Sequence, residues 1–285
     1  MLGQAGLAVS CVGIGALPIG PGQLNLPLEE GSAVICDALR RGISFIDTAQ
    51  YYRTYPYIRH ALEVMGFVTE ENICGAATLS AGKNPHDADL PVISSKSLAS
   101  SYGDMMAAIE ECRDALGLKT IDIFLMHEVR SGQFAARAGA WQALQDAKRA
   151  GLVRAIGIST HHVDVARAMA DVSACDVVFA LLNYRGMGIR CGQEAGTKEA
   201  MVAALTVCKA AGKGIYTMKA LGGGNLTADY QKALDYVFSQ DCVDAVMLGF
   251  TNTSEIDDMM RYLSGKMETS YNPDVSRKKL YVNQE

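Results

Sequence analysis

An α/β fold of the (β/α)8 TIM-barrel class, opened by an N-terminal β-hairpin, is predicted from three observations. The length of 285 residues suits one such barrel of roughly 250 residues better than a minimal domain or two domains. Hydrophobic residues make up 49% of the chain and charged residues 20%, so a full core is available and disorder is not expected. Short β-branched runs also alternate with longer amphipathic stretches, a pattern that calls for parallel strands joined by crossovers and closed most economically as a barrel.

The opening LGQAGLAVSCVGIGALPIG is apolar, but the first basic residue is Arg40, and Gly13, Gly15 and Pro18 interrupt the run. It therefore fits a small hairpin rather than a signal helix. Strands are expected at 12–17, 43–47, 91–96, 121–127, 153–159, 176–183, 214–219 and 245–250. Helical spacing occupies 29–41, 56–65, 102–117, 138–150, 163–171, 197–211, 227–239 and 254–264, with Thr227 and Ser254 as caps and Gly42, Gly151 and Gly212 as stops. A doubly wound open sheet is the rival, but Gly13 and Gly15 fall inside the first strand and not in a strand-to-helix turn. Residues 66–90 exceed a usual connection and read as an insertion; the tail from about 268 is polar and broken by Pro273. The whole of 1–285 is read as one domain.

Net charge is −5 with a pI near 5.6, which disfavours nucleic acid or an anionic membrane as a partner. No run of 18 apolar residues occurs, so no span is expected. The eight cysteines lie 16 or more residues apart without a CxxC pair, which suits a reducing, cytoplasmic setting and predicts no disulfide framework and no metal site.

In a barrel of this class the chemistry sits at the C-terminal strand ends. Asp47 closes ISFI, Lys96 closes PVISS and His127 closes IDIFLM, with Tyr51 and Tyr52 in the loop after Asp47. Each alone has an ordinary structural explanation; together they place an acid, a base, an imidazole and a phenol at one mouth.

These residues resemble the aldo-keto reductase family. GISFIDTAQYY is similar to its G-x-x-[FY]-[IFL]-D-T-A-x-x-Y motif, IDIFLMHE to its histidine-ending strand, and GLVRAIGIST to its G-x-[IV]-R-x-I-G-[IV]-S segment. The resemblance runs from about residue 1 to 265. It implies catalysis by a tetrad of Asp47, Tyr52, Lys96 and His127, and NADP as cofactor with NAD as the alternative. ENICGAATLS could pass for the third strand and would put Thr78 in the lysine position; PVISSK places Lys96 31 positions before His127, close to the family's separation, and is preferred. YPYIRHAL, ISSKS, FLMHE and YTMKALGGGNL further resemble a subgroup whose barrel is followed by a ferredoxin-like extension with iron–sulfur clusters; this chain ends at RKKLYVNQE, about where such an extension would begin, so no cluster ligands are expected in it.

The implied mechanism reduces an aldehyde or ketone, or runs in reverse, on a small-molecule substrate. Tyr52 donates the proton, Lys96 lowers the phenol's pKa, Asp47 orients Lys96, and His127 directs the substrate oxygen. For the cofactor, Ser159 and Asn183 match the positions that hold the carboxamide, whereas Phe179, Leu182 and Thr160 replace the usual glutamine, aromatic ring and asparagine. Gly222 and Gly223, in ALGGGN, offer backbone amides to a pyrophosphate. Thr251, Asn252 and Glu255 open a helix suited to phosphate, although 251–258 carries no Lys or Arg for a 2′-phosphate. Lys219 is placed with the cofactor set, touching cofactor or substrate or serving structure. Two other readings stay open: a lyase forming a Schiff base through Lys96 or Lys219, which borohydride would trap, and a non-catalytic binding barrel, which the altered nicotinamide positions allow.

Overall fold

The computed structural model describes residues 1–68 and 90–265. The insertion expected at 66–90 and the tail from about 268 lie almost wholly outside these residues. Eight strands close a barrel: β1 Val12–Gly15, β2 Phe45–Asp47, β3 Val92–Ser97, β4 Ile121–Met126, β5 Val153–Thr160, β6 Val177–Leu181, β7 Gly214–Met218 and β8 Ala245–Leu248. All neighbours pair in parallel, and β8 returns to β1. The β-branched runs explain the strands, since such side chains pack well on a pleated surface buried on both faces. Within β1 a Cβ on Gly13 would collide with the Met247 thioether, so the glycine there serves close packing and not a nucleotide turn.

The helices fill the intervals: α1 Leu28–Arg40, α2 Tyr55–Val64, α3 Tyr102–Leu116, α4 Ala138–Arg149, α5 Val163–Ala168, α6 Lys198–Ala210, α7 Tyr230–Phe238 and α8 Thr253–Leu263. Gly42, Gly151 and Gly212 stand in left-handed conformation after α1, α4 and α6, as helix stops do. The expected cap at Ser254 is corrected to Asn252, whose Oδ1 accepts from the Glu255 N–H at 3.1 Å. Thr227 opens a 3-10 turn, and the residue before α7 is Asp229.

The expected N-terminal β-hairpin is a shorter reversal without paired strands. Leu2 N–H donates to the Leu7 carbonyl at 2.9 Å, and the Gln4 N–H bonds the Gly212 carbonyl. The strands it might have formed give way because Leu2 and Leu7 turn into the barrel interior beside Phe45, Ile123, Val177 and Met247. Above them Tyr216 stacks on Phe179, with ring centres 4.2 Å apart, and tilts against Phe45.

The floor of the barrel repeats one device. Asp122 Oδ2 accepts the Ile93 N–H at 2.9 Å, Asp176 Oδ2 that of Ile156 at 2.9 Å, and Asp244 Oδ2 that of Ile215 at 2.8 Å. Each carboxylate also meets a cation, Arg154, Lys148 and Lys209 in turn. The aspartates at the starts of β4, β6 and β8 thus tie each strand to the odd-numbered one before it.

Candidate active site

β2, β3 and β4 are adjacent, so Asp47, Lys96 and His127 rise side by side from the C-terminal face. Lys96 Nζ donates to Asp47 Oδ2 and to the Thr48 carbonyl, both at 2.7 Å. Tyr52 comes from the 3-10 turn Gln50–Tyr52, and its ring centre is 4.8 Å from Lys96 Nζ. The Tyr52 hydroxyl lies 3.5 Å from His127 Nε2, with the two rings edge to face. Tyr51, by contrast, is 73% exposed. All four residues singled out from the sequence therefore meet at one mouth, in the strand order expected.

The turn carrying Tyr52 is fixed at both ends. The hydroxyls of Thr48 and Thr54 are 2.7 Å apart, Ser97 Oγ donates to Gln50 Oε1, and Arg53 takes a left-handed φ of 57° that sends the chain back toward α2. Nothing in the sequence marks the two threonines as a pair.

Burial pushes the Asp47 carboxyl up and the Lys96 ammonium down, and the attraction between them opposes both shifts. Burial also pushes His127 down to about 2, with the charge of Lys96 acting in the same direction. His127 is thus a neutral imidazole at physiological pH. Among the described residues its buried Nδ1 has no hydrogen-bond partner, so the tautomer with hydrogen on Nε2 keeps the donor where Tyr52 and a substrate oxygen can use it. His161, just past β5, is lowered to about 3 by burial and then by Lys219.

The residues assigned to a cofactor are distributed around the same mouth, and many are engaged. Ser159 Oγ accepts the Glu128 N–H at 2.8 Å and keeps its own hydrogen to donate. Asn183 Oδ1 accepts from Met187 and Arg185, and one amide hydrogen goes to the Met187 carbonyl, leaving the other. Gly222 and Gly223, with φ of 58° and 66°, form a tight turn closed by the Gly222 N–H on the Lys219 carbonyl. Lys219 has a left-handed φ of 59°, and burial lowers its pKa. Thr251 donates N–H and hydroxyl to Glu255 Oε2, and Asn252 caps α8. Asn252 and Glu255 thus cap the helix start much as a capping box does, with the Glu255 side chain reaching back one residue further to Thr251, and put a carboxylate where a phosphate was expected. Phe179 is taken up by its stack on Tyr216, whose hydroxyl bonds Ser94 Oγ at 2.8 Å, and Leu182 is fully buried. Among the described residues no group of three or more His, Cys, Asp or Glu could hold a metal, and no helix is long and apolar enough to cross a membrane.

Sequence reasoning missed Arg137. The residue is 7% exposed, and its guanidinium donates to the carbonyls of His127 at 2.9 Å, Ser97 at 3.1 Å and Ala99 at 3.0 Å. An arginine in a loop leading to a helix ordinarily reads as a surface charge.

An eight-stranded parallel barrel that gathers acid, base, imidazole and phenol at its C-terminal face has these groups where barrels of this class carry their sites. The chain belongs to the Aldo/keto reductase family, whose profile matches residues 11–235. Among curated proteins it is similar to the L-galactose dehydrogenase of Arabidopsis thaliana, 27% identical over 232 residues, which are 79% of this chain and 66% of that protein. It is also similar to the 2,5-diketo-D-gluconic acid reductase B of Corynebacterium sp. (strain SHS752001), 26% identical over 156 residues, 53% of this chain and 48% of that protein. The chain therefore matches just under two thirds and about half of these relatives' lengths. Two solved structures provisionally described as an aldo-keto reductase of Pseudomonas aeruginosa superpose with a TM-score of 0.69 at 22% identity, covering 94% of each chain, and share the fold.

Proposed function

We propose that this protein is an NAD(P)-dependent oxidoreductase that interconverts a carbonyl and an alcohol on a small polar substrate. The observation that carries the reading is the Asp47–Lys96 pair standing beneath the Tyr52 ring, with His127 Nε2 at the Tyr52 hydroxyl. Reduction leaves charge on the carbonyl oxygen, so a proton donor and a hydrogen bond are needed there. Tyr52 is the donor, Lys96 favours the phenolate that remains, Asp47 holds Lys96 in place, and the neutral His127 donates to the substrate oxygen. When bound, the nicotinamide cofactor supplies or accepts the hydride. The hydrogens that Ser159 and Asn183 keep suit its carboxamide, whereas the Gly222 N–H expected at the pyrophosphate is spent on the Lys219 carbonyl, which leaves that group to the Gly223 amide. NADP is the expected cofactor from family habit, with NAD the alternative, since the carboxylate of Glu255 at the α8 cap gives a 2′-phosphate little help.

The names of the two curated relatives point to sugar and sugar-acid substrates, which fits a mouth lined by polar groups. A lyase reading through Lys96 is disfavoured, because its ammonium donates two short hydrogen bonds and presents no lone pair to a carbonyl. Fluorescence titration with NADPH and NADH tests the proposal, followed by an assay of reduced-cofactor oxidation with aldehydes and ketones. Binding of one cofactor with turnover is expected. Tighter binding of NADH would reverse the cofactor preference, and no binding of either would overturn the function.

A further inference from the structure

We propose that Arg137 is a positioning residue of this site: its guanidinium clamps the exits of β3 and β4 together and so sets where the His127 ring stands against Tyr52. The inference rests on the reductase reading above for its link to turnover, but its geometry is independent of that reading.

The last rung between the two strands is the His127 N–H bonded to the Ser97 carbonyl at 2.8 Å. Lys96 lies one residue before that carbonyl and His127 carries the imidazole, so this rung fixes the spacing of two site residues. Arg137 binds both sides of it: Nη1 donates to the His127 carbonyl at 2.9 Å, and Nη2 to Ser97 at 3.1 Å. Nη2 and Nε add bonds to the Ala99 carbonyl at 3.0 and 3.2 Å. Every one of these acceptors is a backbone oxygen, and Arg137 takes part in none of the ion pairs found among the described residues. A buried guanidinium whose hydrogen bonds all go to neutral acceptors is an expensive way to hold a loop, because burial disfavours its charge and the nearby Glu128 carboxylate offsets that only in part. Methionine or leucine would fill the space more cheaply. What an arginine adds is the planar fork that spans two strand exits, together with a positive charge near His127. That charge joins those of Lys96 and Lys219, and burial together with the neighbouring His161, in resisting a proton on the His127 ring.

The test compares Arg137→Met, Arg137→Lys and the unaltered full chain by kcat/KM, cofactor affinity, pH–rate profile and isotope-edited NMR of the histidine rings, with His127→Gln to assign the signal. Arg137→Met should lower kcat/KM by roughly 10- to 100-fold through misplacement of the ring, with NADPH affinity within about twofold. Its His127 signal should move, because the ring is no longer held against Tyr52. Arg137→Lys should recover the rate and the signal only in part, since an ammonium lacks the fork. If Arg137→Met fails to fold, Arg137→Lys alone decides, by a reduced kcat/KM with a displaced His127 signal. A variant that loses thermal stability yet keeps the wild-type rate, pH profile and His127 signal would overturn the proposal. The NMR reads the ring without turnover, so an inactive wild-type chain would sink the reductase reading and leave the clamp to be judged on the His127 signal.

Discussion

Lys96 Nζ stands 2.7 Å from Asp47 Oδ2, and the two side chains are 1% and 5% exposed. A pair so deeply buried is worth little against a well-packed apolar replacement, but losing one partner strands the other's charge. Lys96→Met should therefore destabilise the fold by about 3–5 kcal/mol. Lys96→Met with Asp47→Leu should recover most of that loss. Urea unfolding of the two singles and the double measures the coupling; additive losses would show that the pair does not act as a unit.

Tyr52→Phe should lower turnover roughly 100-fold or more while nicotinamide binding stays nearly intact, the pattern for loss of a general acid. Tyr51→Phe should change little, because that ring points to solvent. Steady-state kinetics with a cofactor titration separates the two. A dead Tyr51→Phe beside a healthy Tyr52→Phe would reassign the donor.

Acid should weaken the fold through its histidines. His127 and His161 are held neutral, at about 2 and about 3, whereas an unfolded histidine titrates near ~6.5. Below that value the unfolded chain takes up protons that the folded chain refuses. Each histidine therefore removes about 1.4 kcal/mol of stability per pH unit as the pH falls from ~6.5 toward its folded value, and contributes nothing above it. Chemical denaturation at pH 7, 6 and 5 should show the slope, and His127→Gln and His161→Gln should each flatten it.

Restoring the family's usual glutamine at Phe179 should not restore cofactor affinity. The Phe179 ring is stacked on Tyr216 and lies 5.2 Å from Lys96 Nζ, so Phe179→Gln would break an aromatic contact and bury an amide beside the site lysine. A loss of about 1–3 kcal/mol in unfolding free energy is expected, with NADPH binding no tighter. Tighter binding without destabilisation would mean that position 179 faces the cofactor.

The alternation of strands and helices was legible because periodicity in a buried parallel barrel is local: IDIFLM and VRAIGIST read as strands without knowing their neighbours. The four mouth residues were legible because each closes or follows a strand. Arg137, Thr48 and Thr54 were not, since their roles depend on which backbone oxygens or hydroxyls the closed barrel brings near them. The cap of α8 misled for a related reason: Thr251, Asn252 and Glu255 have the composition of an anion site, and only the fold shows Glu255 turning its carboxylate onto its own helix start. The hairpin expected at the N-terminus failed because its leucines gain more from the interior than its backbone would from a ladder.

The three floor aspartates give the barrel a grain. Asp122, Asp176 and Asp244 each join an even-numbered strand to its odd-numbered predecessor, so 3–4, 5–6 and 7–8 are stapled couples, and the seams between couples lack that staple. Amide exchange should sense this as strand couples that open one at a time, with the Ile93, Ile156 and Ile215 amides slow in the three stapled couples. Tyr52, Lys96 and His127 straddle the seam between strands 2 and 3. The chemistry would then sit where two quarters of the wheel meet, so a shift of one quarter against the next would reach the mouth while leaving the staples below intact.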